Sequence, residues 1–336
     1  MDPSLNYPQI YKSLSSDAKK KLSDISKYDE QANDYACVAK SLAVQDCHEL
    51  AAVFLLGKAR CEFAAKNVTA EASTLFTAAK YFIQADDKLI STNSINYEEN
   101  LNCAILCLLR IARIYELNEL FSLATNVYIY LVDTLMRRHK FHQTIPYIKR
   151  AIEIVSKDIL LSLELYKRLS YCQLSIHDWP GALNTILLIQ NLVKEQLTLN
   201  SFDLYIQYWN ICEIFRVLLI LLCIPPSHRI KHDLNLSGYS LKQYNVISVN
   251  DDDNKDENEN DAHGDDDDDE TREDSLQSTM YMNNNLFILL QSFILAHQSN
   301  DLVELESLSV MLQSFVNLEQ RELISLILRE VVRVDT

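Results

Sequence analysis

Read for where apolar side chains recur, the chain is a succession of helices, and its most apolar stretch is Ile211 to Pro226, ICEIFRVLLILLCIPP. Twelve of its first fourteen residues are apolar, interrupted only by Glu213 and Arg216. A helix that is apolar on every side has no face to give to water and must be buried among neighbours. A bilayer span takes roughly 20 apolar residues. The unbroken run here, Val217 to Ile224, is shorter, and Pro225-Pro226 stops it. No transmembrane segment is therefore expected. The stretch reads as the central helix of a soluble helical protein, with Cys212, Phe215, Val217, Leu218, Leu221 and Leu222 as its core positions. The helices before it should pack on one side, and those after the acidic stretch on another.

The remaining pattern places helices around it. Residues 1–16 are polar and are expected to be loose and flexible. Asp46-x-x-Glu49 has the spacing of a capping box opening CHELAAVFLLGKARCEFAA. Further helices are expected over about 69–85, 96–116, 119–137, 141–155, 158–176, 179–196 and 202–224, with an insertion in the first hairpin around 64–69. The very short link near Glu119 forces its two helices to lie antiparallel. After a polar stretch with Tyr239 and Tyr244, the pattern resumes at about Asn283. Asn300/Asp301 and Asn317 or Leu318 mark the last two helix starts. These last helices are too apolar to stand alone and should dock back on the array.

The chain repeats itself weakly. Ile111-Ala112-x-x-Tyr115, followed by Ala124 and Tyr128, has the large, small and aromatic spacing of a tetratricopeptide unit. An aromatic three residues before a small one recurs where helices begin: Phe121/Ala124, Phe141/Thr144 and Trp179/Ala182. The expected fold is all-α, a tetratricopeptide-like (SNAP-like) stack of antiparallel helix pairs, an α-solenoid. The expected organisation is a flexible N-terminus over 1–16, an array over 17–247, an acidic insertion over 248–278, and C-terminal helices over 279–336 docked on the array.

Composition sharpens this picture. Only four glycines in 336 residues leave little room for hairpins or glycine-rich phosphate loops. The N-terminal residues lack a basic start followed by an apolar core, so no secretory signal is expected and Asn67-Val68-Thr69 is not read as a glycosylation site. Eight cysteines then read as reduced thiols, and Cys61, Cys103, Cys107 and Cys212 sit at apolar helical positions. The net charge of −16 is mostly local. Between Asp251 and Asp274, fifteen acids face Lys255 and Arg272, a net of −13, which leaves −3 for everything else. That segment cannot collapse into a core and reads as disordered. The balance elsewhere gives no reason to expect nucleic acid as a partner.

Candidate chemistry is thin. Cys103-x-x-x-Cys107 lies on one helix face and lacks two further metal ligands. His139-x-x-His142 and His228-x-x-x-His232 have ligand-like spacing but no neighbouring cluster. Asp251 to Asp261 alternates carboxylates but lacks the mid-loop glycine of a calcium loop. No GxxxxGK[ST], GxGxxG or HExxH is present. No enzymatic activity, cofactor or metal is expected. Thr271-Arg272-Glu273-Asp274 has the pattern of an acidophilic kinase site. Arg137, Arg138 and Lys140, with Lys149 and Arg150, form a basic cluster, read either as charge complementing a helix C-terminus or as a contact for an acidic partner.

CEIFRVLLILLCIPP, the low-complexity insertion after it, and the C-terminal LFILLQSFILAHQSNDLVELESLSVMLQSFVNLEQRELISLILREVV resemble the family of the forty-kilodalton huntingtin-associated protein. LAVQDCHELAAVFLLGKARCEFA, EASTLFTAAKYFIQAD and SYCQLSIHDWPGALNTILLIQ resemble it too, so the likeness spans nearly the whole chain. It departs in the acidic insertion, where the vertebrate pattern is proline-rich, and at an N-terminus without a glycine-rich start. The resemblance implies a non-enzymatic protein that binds huntingtin, a large HEAT-repeat solenoid, in a one-to-one complex, bridging and stabilising its domains. It also implies a cytoplasmic protein, with a nuclear or peripheral early-endosome fraction, linked to endosomes through a Rab GTPase. The alternative is a soluble-NSF-attachment-type vesicle-fusion adaptor. That family lacks a long acidic tether and ends in a leucine-rich tail, whereas this chain ends in VVRVDT.

Overall fold

Three-residue turns set this architecture. The computed structural model describes residues 6–20, 25–155, 158–199, 203–223 and 282–334, and among them all regular structure is α-helical. A first unit, Met1–Asp158, holds α1 (Tyr7–Lys20), α2 (Ile25–Val44), α3 (His48–Ala64), α4 (Val68–Ser91), α5 (Glu99–Leu117), α6 (Phe121–Arg137) and α7 (Phe141–Val155). From α2 onward each helix packs against the next, and α1 lies against α2 and α3. A second unit, Ile159–Thr336, holds α8 (Ile159–Ser175), α9 (Trp179–Leu199), α10 (Asp203–Cys223), α11 (Asn284–Gln298), α12 (Leu302–Leu312) and α13 (Leu318–Val334). The acidic insertion 248–278, Pro225-Pro226, Tyr239, Tyr244, His228, His232 and Thr271 lie outside the described residues.

Among the described residues six links are three residues long, and in each the middle residue is left-handed without being glycine: Asp46, Lys66, Glu119, His139, His177 and Asn300, with φ from 55° to 61°. After every such turn the third residue donates its N–H to the carbonyl five residues back, as Asn67 does to Glu62 and Leu120 to Tyr115. The turn's middle N–H bonds three back, as Lys66 to Phe63 and Glu119 to Glu116. This pair of bonds satisfies carbonyls that a helix end leaves open. It also reverses the chain within three residues, so successive helices run antiparallel.

The fourth residue of the new helix is buried after each of these turns: Ala51, Ala124, Thr144, Ala182 and Leu305 fully, and Glu71 nearly so. The spacing Phe121/Ala124, Phe141/Thr144 and Trp179/Ala182 thus marks the first and fourth residues of three helices. Two of these aromatics contact the ring of the left-handed residue before them: His139 with Phe141 at 5.7 Å between centroids, and His177 with Trp179 at 5.0 Å.

Several expectations need correction. Residues 7–16 form most of α1: Tyr7 is buried and donates its hydroxyl to Gln45 Oε1 at 3.3 Å, and the Tyr11 ring packs edge-on against Phe54 at 5.5 Å. Aromatic burial outweighs the polar composition there. Asp46 does not cap α3, whose N-terminus has no side-chain cap. In its left-handed turn Asp46 instead pairs with His48 Nε2 at 2.9 Å and with Lys88. The first hairpin carries no insertion at 64–69, because Ala65, Lys66 and Asn67 form one of the short turns and Asn67 accepts from the Ala70 amide at 3.2 Å.

The second unit is built on α10. It contacts α9, α11 and α13, and Cys212, Phe215, Val217, Leu218 and Leu221 are buried while Leu222 is partly buried at the edge of the same cluster. The helix is longer than the unbroken apolar run indicated. By length and composition Leu204–Cys223 is long enough to cross a membrane, so length is no argument against a span. Of its most apolar window, 61% is buried in the protein. Near its middle Glu213, fully buried, pairs with Arg216 and accepts from Gln190 Nε2 on α9 at 2.7 Å. At the start of α13, Asn317 and Gln320 cap each other's amides at 2.8 and 3.0 Å, and Gln320 Nε2 also donates to the Ile211 carbonyl on α10 at 3.1 Å. One side chain therefore both starts α13 and anchors it to the central helix.

Candidate partner-binding surfaces

The basic cluster sits where the first unit's helices meet. Arg138, in the turn after α6, places Nε 3.0 Å from the buried Asp86 and Nη2 2.6 Å from Asp87, both on α4. Asp86 also accepts from Asn96 Nδ2 at 2.8 Å. Lys140 pairs with Glu98, which precedes α5. Arg150 on α7 reaches Glu116 on α5 at 2.6 Å and Glu153 at 2.9 Å. The Arg150 guanidinium holds the Glu116 carboxyl below its ordinary pKa, against the opposing pull of partial burial. Glu116 in turn accepts from Tyr128 at 2.9 Å, and burial together with that bond pushes the phenol up to about 12. Three of the five basic residues therefore tie α4, α5, α6 and α7 together through carboxylates of this chain. Arg137 ends α6, exposed, with its Nε 3.3 Å from the Asp133 carbonyl; Lys149 is exposed.

The thiols are arranged for packing. All eight cysteines are free. Burial pushes Cys107 and Cys212 up to about 12 and Cys172 to about 11, which keeps them protonated and poor as nucleophiles or metal ligands. Among the described residues no three His, Cys, Asp or Glu side chains are grouped to hold a metal ion. His139 occupies a left-handed turn and His142 is exposed on α7.

A second surface emerges only from the packing. An open groove of about 210 Å³ runs between α3 and α5 above α4. Leu75 and Cys107 floor it; Leu56 and Arg60 line it from α3; Cys103, Leu106 and Arg110 line it from α5. Leu106 and nearby Phe63 are 66% and 62% exposed. Arg110 spans the groove's rim: it bonds the buried Glu71 at 2.5 Å and lies 5.5 Å from the Phe63 ring centroid. The signal for this surface is present in the two apolar helices, but only their pairing in space reveals it.

Large apolar side chains are also exposed elsewhere on both units. In the first, Leu117, Leu120, Phe121 and Leu123 surround the turn between α5 and α6, with exposures of 43–75%. In the second, Val303, Val310 and Met311 share one side of α12, seven and one residues apart, opposite the buried Leu305, Leu308 and Leu312. Neither the protein-family models nor the curated proteins compared with this chain match it.

Proposed function

We propose that this chain is a tetratricopeptide-like helical binding protein of the huntingtin-associated kind, which holds huntingtin's helical-repeat domains together and has no catalytic step of its own. The observation that carries the reading is the exposure of large apolar residues on structured helices in both units, as on α12 and around the α5–α6 turn. Single exposed leucines are ordinary, but several on one ordered face mark surfaces that partners cover. The sequence resemblance supplies the partner. Affinity would come from buried area around a few anchors rather than from one motif. An endosomal role through a Rab GTPase rests only on the same resemblance. The repeat reading draws support from the recurring left-handed turn followed by a buried fourth residue, a local geometry that lets one helix pair succeed another.

Co-expression of the tagged full chain with huntingtin tests this. Recovery of huntingtin with the chain, weakened by Val310→Lys together with Met311→Lys, is expected. No recovery of huntingtin, together with stimulation of the NSF ATPase by the purified chain, would replace this reading with the vesicle-fusion adaptor.

A further inference from the structure

The two helices that wall the groove carry the same pattern 50 residues apart. On α3 it is Glu49, Val53, Leu56, Arg60; on α5 it is Glu99, Cys103, Leu106, Arg110. In each the steps are four, three and four residues, which puts all four side chains on one face of a helix. The two faces line one groove from opposite sides, with Leu56 and Arg60 on α3 and Leu106 and Arg110 on α5. Arg60 and Arg110 line the same groove. At the other end the Cys103 thiol is pushed up by burial and then by the carboxylates of both Glu49 and Glu99, so the two acids lie near that one sulfur. The groove's lining is therefore apolar with two arginines at one end, and beyond its Cys103 end lie two acids, one helical turn before the first lining position on α5 and two turns before that on α3.

The helix dipole accounts for only half of this. Glu49 and Glu99 lie in first turns, where a negative charge is favourable. Arg60 and Arg110 are each about the twelfth or thirteenth residue of their helices, of 17 and 19 residues, short of the last turn where the dipole favours cations. Arg110 has Glu71 as its counter-ion, whereas Arg60 is exposed and has no carboxylate partner among the described residues. Two guanidiniums in one groove with one carboxylate between them leave a positive charge facing an apolar wall.

We propose that the α3–α5 groove binds a short segment of another protein that carries carboxylates at one end, apolar side chains in its middle and a basic residue at the other. The carboxylates sit over Arg60 and Arg110, leucine-like side chains lie against Leu56 and Leu106, and the base faces Glu49 and Glu99. The glutamate and the arginine are eleven helical positions apart, about 17 Å, a distance that five or six extended residues cover. Guanidinium forks favour carboxylates, and the charge gradient fixes the direction in which the segment lies. This rests on the reading of the chain as a binding protein but not on who the partner is.

The test uses the full-length chain and a fluorescein-labelled, acetylated hexapeptide of sequence lysine, leucine, serine, leucine, glutamate, glutamate. Its control carries glutamines in place of both glutamates. Saturable fluorescence anisotropy with the acidic peptide is expected, with the control at least tenfold weaker. Arg60→Glu, at an exposed position, should weaken binding by a similar factor while leaving the circular dichroism unchanged. Leu106→Ser provides a second, uncharged variant with the same expected loss. The acidic peptide should also slow maleimide labelling of Cys103 and leave that of Cys37, exposed on α2, unaltered. Absence of saturable binding, equal binding of both peptides, or protection of Cys37 as strong as that of Cys103 would each overturn the proposal. Because no huntingtin is present, such a failure leaves the co-expression result standing, and the reverse holds too.

Discussion

At the residue scale, the left-handed turns determine how tightly this chain can fold back. An L-residue in that conformation costs roughly 1–2 kcal/mol relative to right-handed helix. Lys66 sits there at φ 58°. Lys66→Gly removes the steric cost while adding freedom to the unfolded chain, so a net gain of up to about 1 kcal/mol is expected, read as a higher thermal midpoint. A lower midpoint would contradict the assigned backbone. The opposite holds at Gly57, where an added Cβ would lie 2.5 Å from the Tyr35 ring. Gly57→Ala must push α2 and α3 apart and should cost roughly 1–3 kcal/mol in urea unfolding. Scarcity of glycine does not prevent these tight turns. Aspartate, lysine, glutamate, histidine and asparagine fill the left-handed positions instead, so no single residue type announces the turn. Asp46 illustrates the difficulty: its spacing to Glu49 matches a cap, yet the residue lies one position too early and its charge goes to Lys88 and His48.

One residue-scale contact also sets a pH dependence. The folded pKa of Glu116 lies below its unfolded value because Arg150 stabilises the carboxylate. A depressed carboxylate contributes stability that is fully present above the unfolded pKa, about 4.3, and is lost as pH falls through the folded value. Glu116→Gln should therefore be less stable than the parent at pH 7, and the gap should narrow below about pH 4. A constant gap across that range would show that the pair contributes nothing through ionisation.

At the scale of elements, α10 organises the second unit because nearly all of its circumference is buried between Cys212 and Leu221. That much was legible, since an all-round apolar helix has only one place to go. Its ionic pair was visible as two interruptions, but not its solution: Glu213 and Arg216, three apart, bond to each other, and Gln190 arrives from α9. Removing one partner of a buried pair leaves an uncompensated charge, worth roughly 3–5 kcal/mol. Arg216→Met should approach that loss in urea unfolding, and Glu213→Leu with Arg216→Met should restore much of it. Equal losses in the single and double variants would mean that packing, not charge, sets the cost. Gln320 joins the capping of α13 to α10 in the same way, and its dual role was hidden because the second acceptor, the Ile211 carbonyl, lies 109 residues away.

At the scale of the whole molecule, what the sequence conveyed best was class: an all-helical chain, with helices at about the right places. Charge placement was legible only in part. The basic cluster is conspicuous as a run, but its counter-charges, Asp86, Asp87, Glu98 and Glu116, lie 34 to 52 residues away in sequence. Most of it is thereby neutralised inside the chain. The groove between α3 and α5 shows the reverse case, in which two inconspicuous helices come to line one groove because both pack against α4.

The measurement that bears most directly on the central claim is sedimentation velocity of the purified chain mixed with purified huntingtin, at physiological salt and at about 1 M sodium chloride, where charges are screened beyond a few ångströms. A single one-to-one boundary that persists at high salt is expected, because apolar burial holds it and charge screening leaves that largely intact. Two independent boundaries at both salt concentrations would contradict it.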